Sequence, residues 1–359
     1  VKVVIPAVTL GVRTGGIRVL CELASGLVRR GHDVRFVTFD EPGTPGFPTL
    51  ARIETLGAPP RGRNVFGDLP RQWRLRSGLE AHADADAFIA NHHLTASPVD
   101  HAKVPGRKFY YIQAYEPDFY PRTLQRLPYV LDANASYQRP LGQIANSASV
   151  ARAVRGDLAL PIVPPGIDPE IFRPAARQSD RRRPVVGTIA RIEPWKGTRD
   201  CFAAIRAVRA AGIELDFRVA FGNIPKSFED VTCEVASPRT DAELADWYRD
   251  LDILVAAVYW GGAPYPPLEA MACGAAVVTT PNDHVREGIT AVTAPQENPS
   301  QLAAGLRRLI EDRSLRSRLV SAGLEASAEH HWPLVTQRLE DILTNRIEAP
   351  LGRATRRSS

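Results

Sequence analysis

The sequence predicts two doubly wound α/β domains, on three observations. Short apolar runs alternate with amphipathic stretches along the whole chain, the pattern of parallel sheets covered by helices. A glycine-bearing loop, Gly11 to Gly16, follows the first apolar run and leads into a helical pattern. Near the middle, Pro161 to Asp168 reads PIVPPGID, a proline- and glycine-rich inter-domain crossing. A chain of 359 residues is long enough for two domains of ordinary size or for one large barrel. The central break disfavours a single eight-fold barrel.

In the first half, Lys2 to Ala7 has the length and composition of a buried strand. Ile17 to Arg30 sets Leu20, Leu23, Ala24, Leu27 and Val28 on one helical face, and Gly31 ends it. Val34 to Phe39 closes the first β-loop-α-β unit. Ala87 to Ala90, Lys108 to Ile112 and Gln143 to Ala145 read as further strands. Beyond the crossing, the polar, Arg-rich segment Arg173 to Pro184 reads as a loop. A second series then runs strand Val185 to Ile189, helix Thr198 to Ala211 and strand Leu215 to Ala220. It continues with helix Asp241 to Arg249, strand Asp252 to Ala256, short helix Pro267 to Cys273 and strand Ala276 to Thr279. Helices follow at Pro299 to Asp312 and Ser314 to Ala328, and a last amphipathic one at Pro333 to Ile347.

Composition narrows the class. Hydrophobic residues at 44% and charged ones at 24% match a soluble globular protein, and no run approaches the roughly 20 apolar residues that span a bilayer. The first apolar run, Val3 to Val8, is too short for a secretory leader, so a cytoplasmic protein is expected. Cys21, Cys201, Cys233 and Cys273 lie far apart, which points to reduced thiols rather than a disulfide framework. Cys21 and Cys273 sit in apolar helical patterns as packing residues, and no metal-ligand spacing is visible. Part of the net charge of +5 comes from Arg353, Arg356 and Arg357, a frayed basic tail. The stretch Arg61 to Arg76 interleaves Arg61, Arg63, Arg71, Arg74 and Arg76 with Phe66 and Trp73. It reads as a solvated surface segment, the alternative being contact with an anionic acceptor or a membrane surface. No reader motif accompanies these arginines, so nucleic acid is not an expected partner.

Two clusters carry chemistry. Between Gly187 and Gly197 the chain reads GTIARIEPWKG, leaving a buried strand and entering a helix, where open α/β sheets bind ligands. Arg191 and Lys196 flank that loop. A diphosphate suits two cations beside the free N–H groups of a helix start; the alternative is two surface cations. The second cluster, YWGGAPYPPLEAMACGAAVVTT, spans Tyr259 to Thr280 and leads a Gly/Pro-rich loop into a short helix bearing Glu269. A carboxylate there can accept both hydroxyls of a ribose, while Gly261 and Gly262 let backbone approach phosphate. Its bland reading is a glutamate favoured by the helix dipole.

Together the clusters resemble the retaining, nucleotide-sugar-dependent glycosyltransferases of the GT-B fold, family four in the usual classification. That family's donor domain carries a Gly-Arg-Leu…Lys-Gly loop, then a Glu-x7-Glu segment ending in Pro-Leu-Glu-Ala-Met-Ala-Cys-Gly. Here Ala190-Arg191-Ile192…Lys196-Gly197 and Pro267-Leu268-Glu269-Ala270-Met271-Ala272-Cys273-Gly274 match it. The resemblance implies that Arg191 and Lys196 hold the diphosphate and that Glu269 binds the nucleotide ribose. Gly15-Gly16, followed by RGHDV at Arg30 to Val34, is similar to the family's N-terminal glycine loop, whose backbone approaches the donor phosphates. VPPGID at Val163 to Asp168, DAELADWY at Asp241 to Tyr248, and His331-Trp332 with the helix after it resemble other family segments. The resemblance thus spans nearly the whole chain.

It implies two Rossmann-like domains facing across a cleft, with residues 1–165 binding acceptor and 166–332 binding the sugar nucleotide. A helix at 333–347 packs back on the first domain, and 348–359 form a flexible basic tail. Two departures stand out. Gly261 occupies the position of the first glutamate, which in the family contacts hydroxyls of the transferred sugar. The loop Pro281 to His284 is also shorter than the family norm. Gly261 has two accounts: a deoxysugar or differently configured donor, or a weakened enzyme that binds without turnover in a regulatory role. YYIQAYEPDFYPR at Tyr110 to Arg122 and APYPPLE at Ala263 to Glu269 resemble a bacterial subgroup that includes rhamnosyltransferases of cell-surface glycan assembly.

The donor-sugar loop is then Gly261, Gly262, Ala263, Pro264 and Tyr265. Asn91, His92 and His93 end a strand where many family members place a histidine facing the sugar, with His92 one step from the usual position. Glu116 and Asp118 are candidates for acceptor contacts, or turn residues beside Pro117. The implied co-substrate is a dTDP- or UDP-linked sugar, with no metal and no other cofactor. The acceptor is a hydroxyl of a glycan, lipid-linked sugar or small molecule, and location is cytoplasmic with peripheral contact at the inner membrane face. Oligomeric state is left open. A nicotinamide oxidoreductase is the other doubly wound reading, but Gly11 to Gly16 lacks the Gly-x-Gly-x-x-Gly spacing.

Overall fold

The structure is a computed structural model that describes residues 1–39, 45–58, 65–120, 123–175, 182–259 and 263–348. The chain divides into two compact units, one of Val1–Pro164 together with the chain from Trp332 onward, the other of Pro165–His331.

The first unit holds β1 (Lys2–Pro6), β2 (Asp33–Thr38), β3 (Arg52–Thr55), β4 (Ala87–Ala90), β5 (Arg107–Ile112) and β6 (Gly142–Ala145). They form one sheet in the order β3-β2-β1-β4-β5-β6, parallel at every pairing. Val3, Val4 and Ile5 of β1 and all of β4 are buried, because helices cover both faces of the sheet and leave no solvated side. The helices are α1 (Gly15–Arg29), α2 (Val65–Glu80), α3 (His93–His101), α4 (Leu127–Ser136) and α5 (Ala148–Arg155). The strand order reverses between β1 and β4, and the loops leaving those two strands flank the crevice that such a reversal opens.

Two expectations change here. Gly15 and Gly16 are not the end of a loop; they are the first residues of α1, and the Thr14 side chain does not cap them. The stretch read as a solvated basic segment is largely α2, which buries Leu75 and Leu79 while leaving Trp73 exposed. Arg74 lies 5.5 Å from the Phe39 ring and donates to the Ala58 carbonyl at 2.7 Å. Its arginines and Pro70 blur the helical period that would have exposed it in the sequence. Arg61 and Arg63, and the tail arginines Arg353, Arg356 and Arg357, lie outside the described residues.

The second unit holds β7 (Val185–Ile189), β8 (Asp216–Ala220), β9 (Glu234–Ala236), β10 (Ile253–Ala256), β11 (Ala276–Thr279) and β12 (Val292–Thr293). Its order, β12-β11-β10-β7-β8-β9, is again parallel throughout, and the reversal falls between β7 and β10. Around it lie α6 (Thr198–Ala210), α7 (Asp241–Arg249), α8 (Tyr265–Ala272), α9 (Pro299–Glu311) and α10 (Arg313–Ala328). One core packs Phe202, Ile205, Phe217, Val255, Leu306 and Leu319 on one side of the sheet. The other packs Phe172, Tyr248, Leu254, Leu268 and Met271.

The last helix, α11 (Trp332–Glu348), belongs to the first unit. It lies so close to α1 that a Cβ at Gly26 would come within 2.2 Å of the Thr336 hydroxyl. Glu340 of α11 accepts from Arg30 and pairs with His32 at 2.7 Å. Among the described residues no helix is long and apolar enough to cross a membrane.

Candidate functional site

In the second unit, β7 ends at Ile189 and its neighbour β10 ends at Ala256, so the loops that follow leave the sheet side by side. The loop after β7 is closed by Thr198, whose hydroxyl accepts from the Arg191 N–H at 2.9 Å and donates to the Arg191 carbonyl at 2.8 Å. A 3-10 turn, Pro194–Lys196, follows, and Gly197 then caps α6 with φ +57°. Any side chain at 197 would collide with Ala257, since its Cβ would lie 2.4 Å from that residue's carbonyl oxygen. Glycine after Lys196 is therefore required twice, by the left-handed backbone and by the approach of the loop after β10. The Tyr259 N–H donates to the Trp195 carbonyl at 2.9 Å and locks the two loops together.

Burial first, and repulsion from Arg191 second, lower the Lys196 ammonium below its usual pKa, with Glu193 opposing. Arg191 itself is half exposed, 3.7 Å from Glu193, with its guanidinium carbon 5.8 Å from the Phe221 ring. Phe221 opens the loop after β8 with φ +70°, a conformation that costs a side chain about 1–2 kcal/mol. Two cations thus share one end of the sheet, with Glu193 beside them as a partial offset.

The loop after β10 leads into α8. Gly261 and Gly262 lie outside the described residues; Ala263 and Pro264 are buried, and Tyr265 is half-buried as the first residue of α8. Glu269 is 3% exposed and faces α7, where the Tyr248 hydroxyl donates to its Oε2 at 3.0 Å. Neither Thr198 nor Tyr248 was singled out from the sequence; both act through single hydroxyls in ordinary helical positions, which leaves no compositional signal.

In the first unit, Asn91 follows β4 and its amide donates to the Pro6 carbonyl at 2.6 Å, stapling the ends of β4 and β1. His92 caps α3: its Nδ1 accepts from the Leu94 N–H at 3.2 Å, and Thr95 completes a capping box. With Nδ1 accepting, the proton of the neutral ring sits on Nε2, 3.6 Å from Glu116 Oε2. His93 is fully buried, its Nδ1 2.6 Å from Asp132 and its Nε2 2.7 Å from the Tyr120 hydroxyl. Glu116, a candidate for acceptor contact, is instead buried: it accepts from the His93 N–H at 2.9 Å and the Tyr110 hydroxyl at 3.1 Å. Asp118, two residues on, is exposed. Gly16 lies near the Gln113 amide, with 3.5 Å left for a Cβ. His92, His93 and Glu116 also offer three ligand atoms within 4.8 Å of one another, a grouping that residues 23 positions apart do not reveal in sequence.

Comparison with known proteins bears on both halves. A model described as Glycosyltransferase Family 4 matches residues 13–171, and one described as Glycosyl transferases group 1 matches residues 183–312. The chain belongs to these glycosyltransferases. It is 28% identical over 216 residues to a D-inositol 3-phosphate glycosyltransferase of Thermobispora bispora, covering 52% of this chain and 50% of that protein. The matched stretch is thus about half the length of the curated relatives. A sucrose-phosphate synthase from Thermosynechococcus elongatus has a TM-score of 0.78 at 16% identity, covering 97% of this chain and 100% of that one. Anabaena Alr3699/HepE in complex with UDP gives 0.73 at 18% identity, over 96% and 100%; the same protein is also known in complex with UDP-glucose. The family member described here has the GT-B fold, two doubly wound α/β units.

Proposed function

We propose that this chain is a retaining glycosyltransferase that moves a sugar from a nucleoside-diphosphate donor to a hydroxyl acceptor in glycan or glycosylated natural-product biosynthesis. The observation that carries it is the gathering of Arg191, Lys196 and Glu269 on the loops and helix that follow neighbouring strands β7 and β10. An anion of two phosphates relieves the repulsion between the two cations, and the start of α6 adds its free N–H groups. Glu269 takes the ribose hydroxyls. The UDP and UDP-glucose complexes of HepE support a sugar nucleotide as the donor.

In this reading, residues 165–331 hold the donor and residues 1–164 the acceptor. Negative charge grows on the departing diphosphate as the glycosidic bond breaks, and Arg191 and Lys196 stabilise it. A phosphate oxygen of the leaving group takes the acceptor's proton, so no pair of catalytic carboxylates and no metal is called for. His92 is the histidine assigned to the donor sugar, its Nε2 3.6 Å from Glu116, and Asp118 is the acidic candidate for the acceptor. Gly261 in place of the family's sugar-binding glutamate favours a deoxysugar such as rhamnose, carried on dTDP or UDP. The same glycine supports a second reading, a protein that binds sugar nucleotide without turnover.

A thermal-shift screen across nucleoside diphosphates and their sugars, followed by incubation of each binder with candidate acceptors, tests both. Stabilisation by a nucleoside diphosphate and release of it from the sugar form are expected. Tight binding with neither transfer nor hydrolysis would favour the second reading, and no response to any nucleotide would remove both.

A further inference from the structure

Helix α7 presents Trp247, Tyr248 and Arg249 in succession, and each is fixed. The Tyr248 ring is fully buried, edge-on to Trp247 with centroids 5.1 Å apart and tilted against Phe172 at 6.5 Å. Arg249 donates to the Ile171 carbonyl at 2.9 Å and fastens the segment bearing Phe172 to α7. The ring therefore has little freedom, and its hydroxyl points across the helix contact to Glu269 of α8. A tyrosine hydroxyl carries one proton, and here it goes to Glu269 Oε2 at 3.0 Å.

We propose that Tyr248 is a positioning residue for the ribose site: it clamps one oxygen of the Glu269 carboxylate so that the other meets the hydroxyls of the nucleotide. This rests on the ribose role given to Glu269 above. The terminal torsion of a glutamate is broad and nearly two-fold, so losing the bond from Tyr248 lets the carboxylate sample more orientations and costs affinity on ordering. Phenylalanine at 248 would fill the same space. The hydroxyl is the part that packing does not need, since a buried O–H without an acceptor is costly.

The test is calorimetric titration of wild type, Tyr248→Phe, Glu269→Ala and the double variant. The probes are UDP against 2′,3′-dideoxyuridine diphosphate, and dTDP against its 3′-deoxy counterpart. Wild type is expected to prefer the hydroxyl-bearing member of a pair by tenfold or more. Tyr248→Phe should bind that member about tenfold more weakly, a change of ~1.4 kcal/mol, while binding its deoxy partner as wild type does. On the Glu269→Ala background, Tyr248→Phe should change neither affinity. Equal weakening of both members would make Tyr248 a packing residue and overturn the inference. So would a ribose preference that Glu269→Ala abolishes and Tyr248→Phe leaves intact, with the role of Glu269 standing. Wild type without any ribose preference, or a preference that survives Glu269→Ala, would overturn that role and this inference together. Unfolding temperatures of all four proteins identify any variant that fails to fold, and the dideoxy affinity reports an intact diphosphate site.

Discussion

Replacing Lys196 with methionine separates the two things a desolvated cation does, because the thioether keeps most of the packing of the lysine stem and removes only the charge. In the folded protein the ammonium is disfavoured by burial and by Arg191, so its folded pKa lies below the unfolded value. That penalty is present in full below the folded value and is relieved as pH rises through the window between the folded value and 10.5. The ligand-free variant should therefore unfold no earlier than wild type at pH 7, and the difference should shrink toward pH 10. Binding moves the other way. Two unit charges about 4 Å apart attract by about 4 kcal/mol at an effective dielectric of 20, about a thousandfold in affinity. Arg191 remains and shares the anion, so a loss of about ten- to a thousandfold for a nucleoside diphosphate is expected. Differential scanning calorimetry at pH 7 and pH 10, with and without UDP or dTDP, reads both effects. A variant that is markedly less stable without ligand, yet keeps its full stabilisation by nucleotide, would refute the assignment of Lys196 to the diphosphate.

Other substitutions probe the supports of the two loops. Gly197→Ala places a Cβ 2.4 Å from the Ala257 carbonyl in a left-handed conformation; a loss of about 2–4 kcal/mol by urea denaturation is expected, with transfer lost as well. Glu116→Ala strips the acceptor from the His93 N–H and the Tyr110 hydroxyl, and about 3 kcal/mol or more should disappear from the unfolding free energy. Glu340 has its pKa lowered by Arg30 first and His32 next, so its contribution is present above the usual carboxylate value of 4.5 and fades as pH falls through the folded value. Amide exchange in α11 should accelerate in that acid window for wild type and stay flat with pH for Glu340→Gln.

The parts of this fold that could be read in the sequence are those where burial is complete. Strands β1, β7, β10 and β11 are enclosed on both faces and so appear as unbroken apolar runs. The strands that escaped notice, β3, β9 and β12, lie toward or at the sheet margins, where Arg52, Glu234 and their neighbours remain in water and the runs are only two to four residues long. The loops after β7 and β10 were legible because Lys196-Gly197 and the segment around Glu269 are each contiguous. The links between distant segments were not: Glu116 to His92, Tyr248 to Glu269 and Asn91 to Pro6 join residues 21 to 85 positions apart through one hydrogen bond or ion pair each. No periodicity encodes such a bond; the sheet topology creates it.

The close seating of Thr336 on Gly26 has a temporal meaning. The first unit is interrupted in sequence by the second, and its closing helix is the last described element of the chain. On a ribosome, the face of α1 that α11 covers stays bare until some 300 further residues have been made. Folding of this unit is completed by its most distant residues, so a fragment ending at His331 should hold an intact second unit beside a first unit that lacks its final wall.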